Sequence, residues 1–219
     1  MRKTASEKHF DRIAPNYDSG KRKYSYYYES LKTLLGSLIP AGKKVFEIGC
    51  GTGDLLISLR SNRGYGMDVS SEMIKIANAK NLKKPNVSFS TKWPTEKFDA
   101  IFMSDVIEHL DNPKETFRKV RGLMDEKTTF VCTMANPIWE PLLMIWEKLG
   151  WKMVEGPHNR IKYSDLKIMV EETGMKITKH DHKLLMPVKI PILTNLANKY
   201  LEKCLKRWAF IEYFVAVKA

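Results

Sequence analysis

The sequence predicts an α/β fold: seven strands in a mostly parallel sheet whose last strand runs antiparallel, with helices on both faces and helical insertions at one end. Three observations carry this reading. Val45, Phe46 and Ile48 lead into glycines at every second position (Gly49, Gly51, Gly53), and the pattern then turns apolar at helical spacing (Leu55, Leu56, Leu59), the signature of a buried strand, a tight turn and a helix start. Apolar and β-branched runs alternate with helix-spaced ones as far as Met134, which calls for parallel strands joined by crossover helices. The last two strand-like runs, Met175 to His182 and Ile211 to Val217, are separated by residues 184–208, far more than a hairpin loop of about two to five residues.

At 219 residues, 43% hydrophobic and 28% charged, the chain has the make-up of one globular domain with room for a large insertion. No apolar run approaches the ~20 residues that span a bilayer, and polar sequence after Met1-Arg2-Lys3 gives no secretory pattern. Cys50, Cys132 and Cys204 are far apart and in no metal-ligand spacing, so free thiols in a reducing cytoplasm are expected. The net charge of +12 is unevenly placed. Residues 1–44 carry 10 Lys and Arg against 4 Asp and Glu, residues 45–150 carry 14 of each, and residues 151–219 carry 13 against 7. The excess therefore lies in the two ends, where it is either a solvated shell or a surface for an anionic partner such as phospholipid or nucleic acid.

The glycine turn is where a ligand can approach. Glycines remove the side chains that would hold it off the backbone, and the helix start beyond offers unpaired N–H groups. Two other glycine signatures are excluded by spacing: a P-loop ends Gly-Lys-Ser/Thr where this loop ends Gly-Asp, and a dinucleotide fingerprint begun at Gly49 would need glycine at Asp54. Glu47 would repel a pyrophosphate and attract an ammonium group. The stretch Glu47-Ile48-Gly49-Cys50-Gly51-Thr52-Gly53 resembles the first motif of class I S-adenosylmethionine-dependent methyltransferases. That resemblance implies a Rossmann-like fold, S-adenosylmethionine as cofactor, and contacts from Glu47, Gly49, Cys50, Gly51 and Gly53.

The remaining elements follow in order. Ser6 to Ala14 reads as a short helix stopped before Pro15. It is similar to the Phe-Asp-x-x-Ala-x-x-Tyr-Asp segment of quinone-biosynthesis methyltransferases, which implies that Tyr17 helps close the cofactor pocket. Lys21 to Tyr28 interleaves charge with aromatics, and Tyr27, Leu31, Leu34, Leu35 and Leu38 continue at helical spacing to Pro40-Ala41-Gly42. Gly64 to Asp68 is a second strand ending in a carboxylate placed to hold a ribose diol. Ser70 or Ser71 caps the next helix, and the family's Asp-x-Ser-x-x-Met run implies that Val69 and Met73 flank adenine. Asn86 to Phe89 is a third strand. The family's adenine-binding Asp is replaced here by Ser90-Thr91-Lys92-Trp93.

Lys97 to Ser104 is the fourth strand, and by the resemblance Ser104 and the residues after it stand beside the transferable methyl. His109 is the candidate acid/base, since imidazole titrates near neutrality. Asp105, Glu108 and His109, on one helical turn, could also converge on a divalent cation, as in ubiquinone-biosynthesis O-methyltransferases; the rival reading is that they only order the cofactor loop. Glu115 to Met124 is amphipathic, Thr128 to Met134 is a fifth strand, and Pro137 to Trp151 is an apolar helix rich in tryptophan. The run Gly156 to Leu166 resembles the family's His-x-Arg-x-x-Ser linker, with Ser164 capping a helix that Gly174 ends. Residues 192–205 carry an apolar stripe bordered by Lys199, Lys203, Lys206 and Arg207, either an interfacial helix or a lid.

The expected organisation is an N-terminal helical arm (1–44), an S-adenosylmethionine-binding core (45–135) and a C-terminal part (136–219) with a helical lid at 136–153 and the insertion at 184–208. The expected activity is methyl transfer to a small amphiphilic or anionic acceptor of lipid or quinone-precursor type, in the cytoplasm with peripheral contact to an anionic membrane. An RNA methyltransferase and a non-catalytic S-adenosylmethionine-binding module are the alternatives.

Overall fold

The computed structural model describes residues 3–149, 161–190 and 193–219. Seven strands, β1 (Lys44–Ile48), β2 (Arg63–Met67), β3 (Val87–Ser90), β4 (Ala100–Ser104), β5 (Thr129–Ala135), β6 (Met175–Lys183) and β7 (Ile211–Lys218), form one sheet in the order β3-β2-β1-β4-β5-β7-β6. The neighbours from β3 to β5 pair in parallel, and β7 runs antiparallel between β5 and β6. β4 is buried along its whole length because helices cover both faces, as a parallel sheet requires. On one face α2 (Ser25–Leu38), α3 (Asp54–Ser58) and α4 (Ser71–Lys80) set Leu31, Leu35, Leu56 and Ala77 against Val45 and Phe102. On the other, α5 (Pro113–Gly122) and α7 (Tyr163–Glu172) set Phe117, Val120, Leu166 and Val170 against Phe46, Ile101 and Phe130. In chain order α6 (Glu140–Lys148) falls between α5 and α7, and its Leu143 joins the core on the first face.

The expected helix stop before Pro15 is overturned. One helix, α1 (Ala5–Arg22), runs through Pro15 and is capped by the Thr4 side chain, which accepts from the Glu7 N–H at 3.1 Å. An interior proline costs about 3 kcal/mol, and tertiary anchors on either side of it hold the helix. Asp11 accepts from the Ser70 hydroxyl at 2.7 Å, and Asp18 accepts from the Thr52 hydroxyl at 2.6 Å and from Lys80 at 2.9 Å. Spaced by seven residues, the two carboxylates lie on the same helix face.

Two C-terminal expectations also change. The cap of α7 is Lys162 with no side-chain bond, while the Ser164 hydroxyl donates to Asp165 at 3.1 Å; His158, Arg160 and the end of the expected lid lie outside the described residues. The insertion is not one amphipathic helix but α8 (Leu193–Leu196), a π turn (Ala197–Leu201) and a 3-10 turn (Lys206–Trp208). Side chains there tie the segment to the chain that precedes it. Thr194 accepts from the Ile190 N–H and donates to the Val188 carbonyl, while Asn198 accepts from the Met186 N–H and donates to its carbonyl.

Strand glycines set the approach of the first loop. A methyl at Gly66 would stand 2.4 Å from Phe89 and 3.0 Å from Cys50, whereas one at Gly36, exposed on α2, meets nothing within 4 Å. Gly66→Ala is expected to lower stability by about 1–3 kcal/mol, and Gly36→Ala to raise it by roughly 0.5–1 kcal/mol, as read by urea unfolding.

Candidate active site

The crossover order places the carboxyl ends of β1 and β4 side by side with their connections leaving in opposite directions, the switch point at which open sheets bind ligands. The loop after β1 is wound by left-handed backbone at Gly49, Gly51 and Gly53, with φ of 69°, 51° and 84°. A Cβ at Gly49 would meet Val106 at 2.3 Å, so glycine lets the β1 and β4 loops close on one another. Asp68, at the end of β2, fixes the turn: one carboxylate oxygen accepts from the Gly51 N–H at 2.8 Å and the other from the Ser70 N–H at 2.9 Å.

These loops enclose a cavity of about 370 Å³, within the size range of small-molecule sites. Tyr17, Glu47, Gly49, Cys50, Gly51, Asp68, Val69, Met73, Ser104 and His109 all stand on its wall. Gly53 does not; a Cβ there would meet Phe89 at 2.6 Å, so that glycine serves the packing behind the loop. Ser90 and Thr91 are also off the wall, and Trp93 takes their place on it, with the Lys119 ammonium 5.4 Å from its ring centre.

A second cavity of about 150 Å³ opens beside the first. Phe10, Tyr17, Lys21, Tyr28, Asp105 and His109 line both, and the second is otherwise largely apolar, with Tyr24, Leu143, Trp146, Val188 and Phe210 on its walls. Lys21, which the sequence offered only as part of a charged and aromatic run, lines both cavities. It lies one turn beyond Tyr17 on α1, a relation that appears only once the helix is continued through Pro15. Its ammonium sits 3.2 Å from Asp54 and 4.4 Å from the centre of the Tyr28 ring.

The helical turn expected at Asp105, Glu108 and His109 does not form as such. Asp105 has φ 54°, and only Ile107–His109 make a single 3-10 turn, so the three side chains do not bring ligand atoms within 4.8 Å of one another. Asp105 instead accepts from the buried Tyr27 hydroxyl at 2.7 Å.

Burial governs the ionisation of the site. It raises the Glu47 carboxyl well above the usual range, outweighing the nearby Lys21 charge and the Leu56 N–H donated at 3.2 Å. Burial likewise raises Asp68 despite its two backbone donors. The Cys50 thiol is pushed up by burial and by the charges of Glu47 and Asp68, which makes it a small packing residue rather than a nucleophile. Asp54 shows the opposite balance: burial raises it, but Lys21 and Lys80 prevail and hold it below its ordinary value.

A seven-stranded Rossmann-like sheet with a glycine-walled cavity at its switch point, and an acidic residue ending β2, is the architecture of class I S-adenosylmethionine-dependent methyltransferases. The chain belongs to the methyltransferase-domain family, whose sequence model matches residues 20–180. It is 33% identical over 138 residues to an uncharacterized protein of Methanocaldococcus jannaschii, covering 61% of this chain and 53% of that protein. It is 27% identical over 139 residues to the ubiquinone biosynthesis O-methyltransferase of Glaesserella parasuis, covering 56% and 59%. The chain thus matches little more than half the length of these curated relatives. Among solved structures, an S-adenosylmethionine-dependent methyltransferase of Thermotoga maritima superposes with a TM-score of 0.71 at 15% identity, over 98% of this chain and 100% of that one. This last likeness is one of fold.

The raised Glu47 carboxyl has a consequence for stability. Because the folded state holds that proton more tightly than the unfolded chain, the contribution of Glu47 falls as pH rises from the unfolded carboxyl range near ~4.5 through its folded value. Glu47→Gln is expected to remove this slope and to stabilise the ligand-free protein at neutral pH, as read by urea unfolding of parent and variant across a pH series.

Proposed function

We propose that the chain transfers a methyl group from S-adenosylmethionine to a small amphiphilic or anionic acceptor of lipid or quinone-precursor type. The observation that supports this most is the pair of cavities sharing one wall, a polar glycine-lined one and a largely apolar one, with His109 and Asp105 on the boundary. The residues present fit the cofactor. The left-handed glycine loop leaves no Cβ between backbone and ligand, and each Asp68 oxygen keeps acceptor capacity for a ribose hydroxyl beyond its backbone bond. In this reading Asp68 holds the ribose, Val69 and Met73 flank adenine, and Gly49, Cys50 and Gly51 bring backbone against the methionyl part. Glu47 receives the ammonium group, Lys21 the carboxylate, and Tyr17 closes the pocket. Ser104 stands beneath the reacting end.

The bound cofactor supplies a methyl already activated by its positive sulfur. The chain's own contribution is to align the acceptor and exclude water, and α1 does both by roofing the two cavities with Phe10, Tyr17 and Lys21. His109 takes the proton from the acceptor heteroatom as the new bond forms. The apolar second cavity favours a ring or acyl chain. Exposed Ile138, Ile145, Leu196, Tyr200 and Trp208 near the basic C-terminal segment support an acceptor drawn from a membrane surface.

The test is calorimetric titration of the ligand-stripped protein with S-adenosylmethionine, followed by measurement of S-adenosylhomocysteine release with amphiphilic phenols and long-chain carboxylates. Binding that weakens about tenfold or more, ~1.4 kcal/mol, in Asp68→Ala is expected, with turnover lost in His109→Ala. A folded parent that binds no S-adenosylmethionine would overturn the proposal.

A further inference from the structure

Away from the two cavities, the described residues hold one group of side chains with both the chemistry and the spacing of metal ligands. His180, His182 and Glu212 each offer a donor atom within 4.8 Å of the other two. Strand pairing brings them together. His180 and His182 are two residues apart on β6 and project from the same face. The register sets His182 directly opposite Glu212 on β7, and His180 opposite Phe214, so one antiparallel pair presents two imidazoles and a carboxylate side by side.

The distances are those of a near-formed coordination site. The Glu212 carboxylate lies 2.7 Å from Nε2 of His180 and 3.6 Å from Nε2 of His182. Metal bonds of about 2.0–2.1 Å in a tetrahedron require ligand atoms roughly 3.4 Å apart, which asks the hydrogen-bonded His180 pair to open by well under an ångström. Tyr163, the first residue of α7, stacks on the His180 ring with centroids 3.5 Å apart and planes 6° from parallel. That stacking holds the imidazole plane, the service an outer partner gives a metal ligand. Glu212 is 6% exposed in its side chain, and among the described residues no lysine or arginine bridges to it. The two imidazoles are thus the partners this buried carboxylate has, and all three groups face one another.

We infer that His180, His182 and Glu212 bind a divalent transition-metal ion of the zinc type, with the fourth position left to water. Two imidazoles and one carboxylate suit zinc and neighbouring first-row ions and disfavour magnesium or calcium, which prefer all-oxygen shells. The site's place in the fold gives its role. β6 ends at Lys183, the insertion leaves at Leu184 and returns at Phe210, and the Phe210 N–H donates to the Leu184 carbonyl at 2.8 Å. An ion at His182 and Glu212 fastens the two roots of that insertion beside this bond. Pro187, Val188 and Phe210, on the insertion or its root, line the apolar cavity, so the ion steadies a wall of the acceptor pocket without touching the acceptor. Glu212 and Phe214 alternate with Tyr213 along β7, and Phe214 packs in the α5–α7 core while Tyr213 packs in the core on the opposite face.

The test is calorimetric titration of the tag-free, chelator-treated full chain with zinc chloride, paired with thermal unfolding. One zinc ion per chain and a higher unfolding temperature with zinc are expected, since a ligand held only by the folded state stabilises it. His180→Asn and His182→Asn, each shown to be folded by circular dichroism, are expected to bind zinc about tenfold or more weakly, while His109→Ala keeps the parent's affinity. Absence of zinc binding by the parent, binding undiminished in both asparagine variants, or its loss in His109→Ala would each overturn the inference.

Discussion

The Asp68 carboxylate is the interaction on which the binding half of the molecule depends. Its two oxygens take the N–H groups of Gly51 and Ser70, tying the end of β2 to the loop after β1 and to the cap of α4 at once. Ser70 in turn accepts from the Met73 N–H and donates to Asp11 on α1. A single buried acidic side chain thus fixes a left-handed turn, starts a helix and connects to the roof over the cavity. Its cost is desolvation, visible in its raised proton affinity, and hydrogen bonds to an ionised group offset such a cost more fully than neutral ones.

The second constraint is the seating of α1. Asp11 meets the β2–α4 turn, Asp18 meets Thr52 of the glycine loop and Lys80 of α4, and Lys21 meets Asp54 at the start of α3. Every contact links the arm to a backbone segment that borders the cavity. Charge pairs of this kind, partly exposed, are worth little one at a time. Their collective effect is positional, placing Phe10, Tyr17 and Lys21 between the two cavities. The arm is also held by buried Ser6, His9 and Ala14 and by Phe10, which packs edge-on against His109.

Much of this was legible in the sequence where burial on both faces leaves its mark. The strands of the parallel core read as short apolar runs, and the glycine spacing after Ile48 marked the turn; its structural reasons are the left-handed φ values and the close approach of Val106 and Phe89. What was not legible depends on partners distant in sequence. Pro15 obeys a local rule that tertiary anchors at Asp11 and Asp18 override. The apolar stripe of 192–205 promised one helix, but the helical structure passes into a π turn at Ala197–Leu201 and resumes only as a 3-10 turn at Lys206–Trp208, while Thr194 and Asn198 bind the backbone of the preceding segment. The spacing of Asp105, Glu108 and His109 suggested convergence only on a helix, and the left-handed Asp105 denies it. Conversely, His180 and His182 show a same-face repeat in the sequence, yet their partner Glu212 is fixed only by the β6–β7 register.

In the proposed reading the glycine loop, the Asp68 clamp and α1 form one nucleoside-binding unit. Hydrogen exchange with and without S-adenosylhomocysteine tests it most directly, because ligand contact and helix seating both suppress local opening. Added protection is expected in residues 5–22, 47–54 and 68–73 together. Protection confined to 184–208, or no change in the glycine loop, would contradict it.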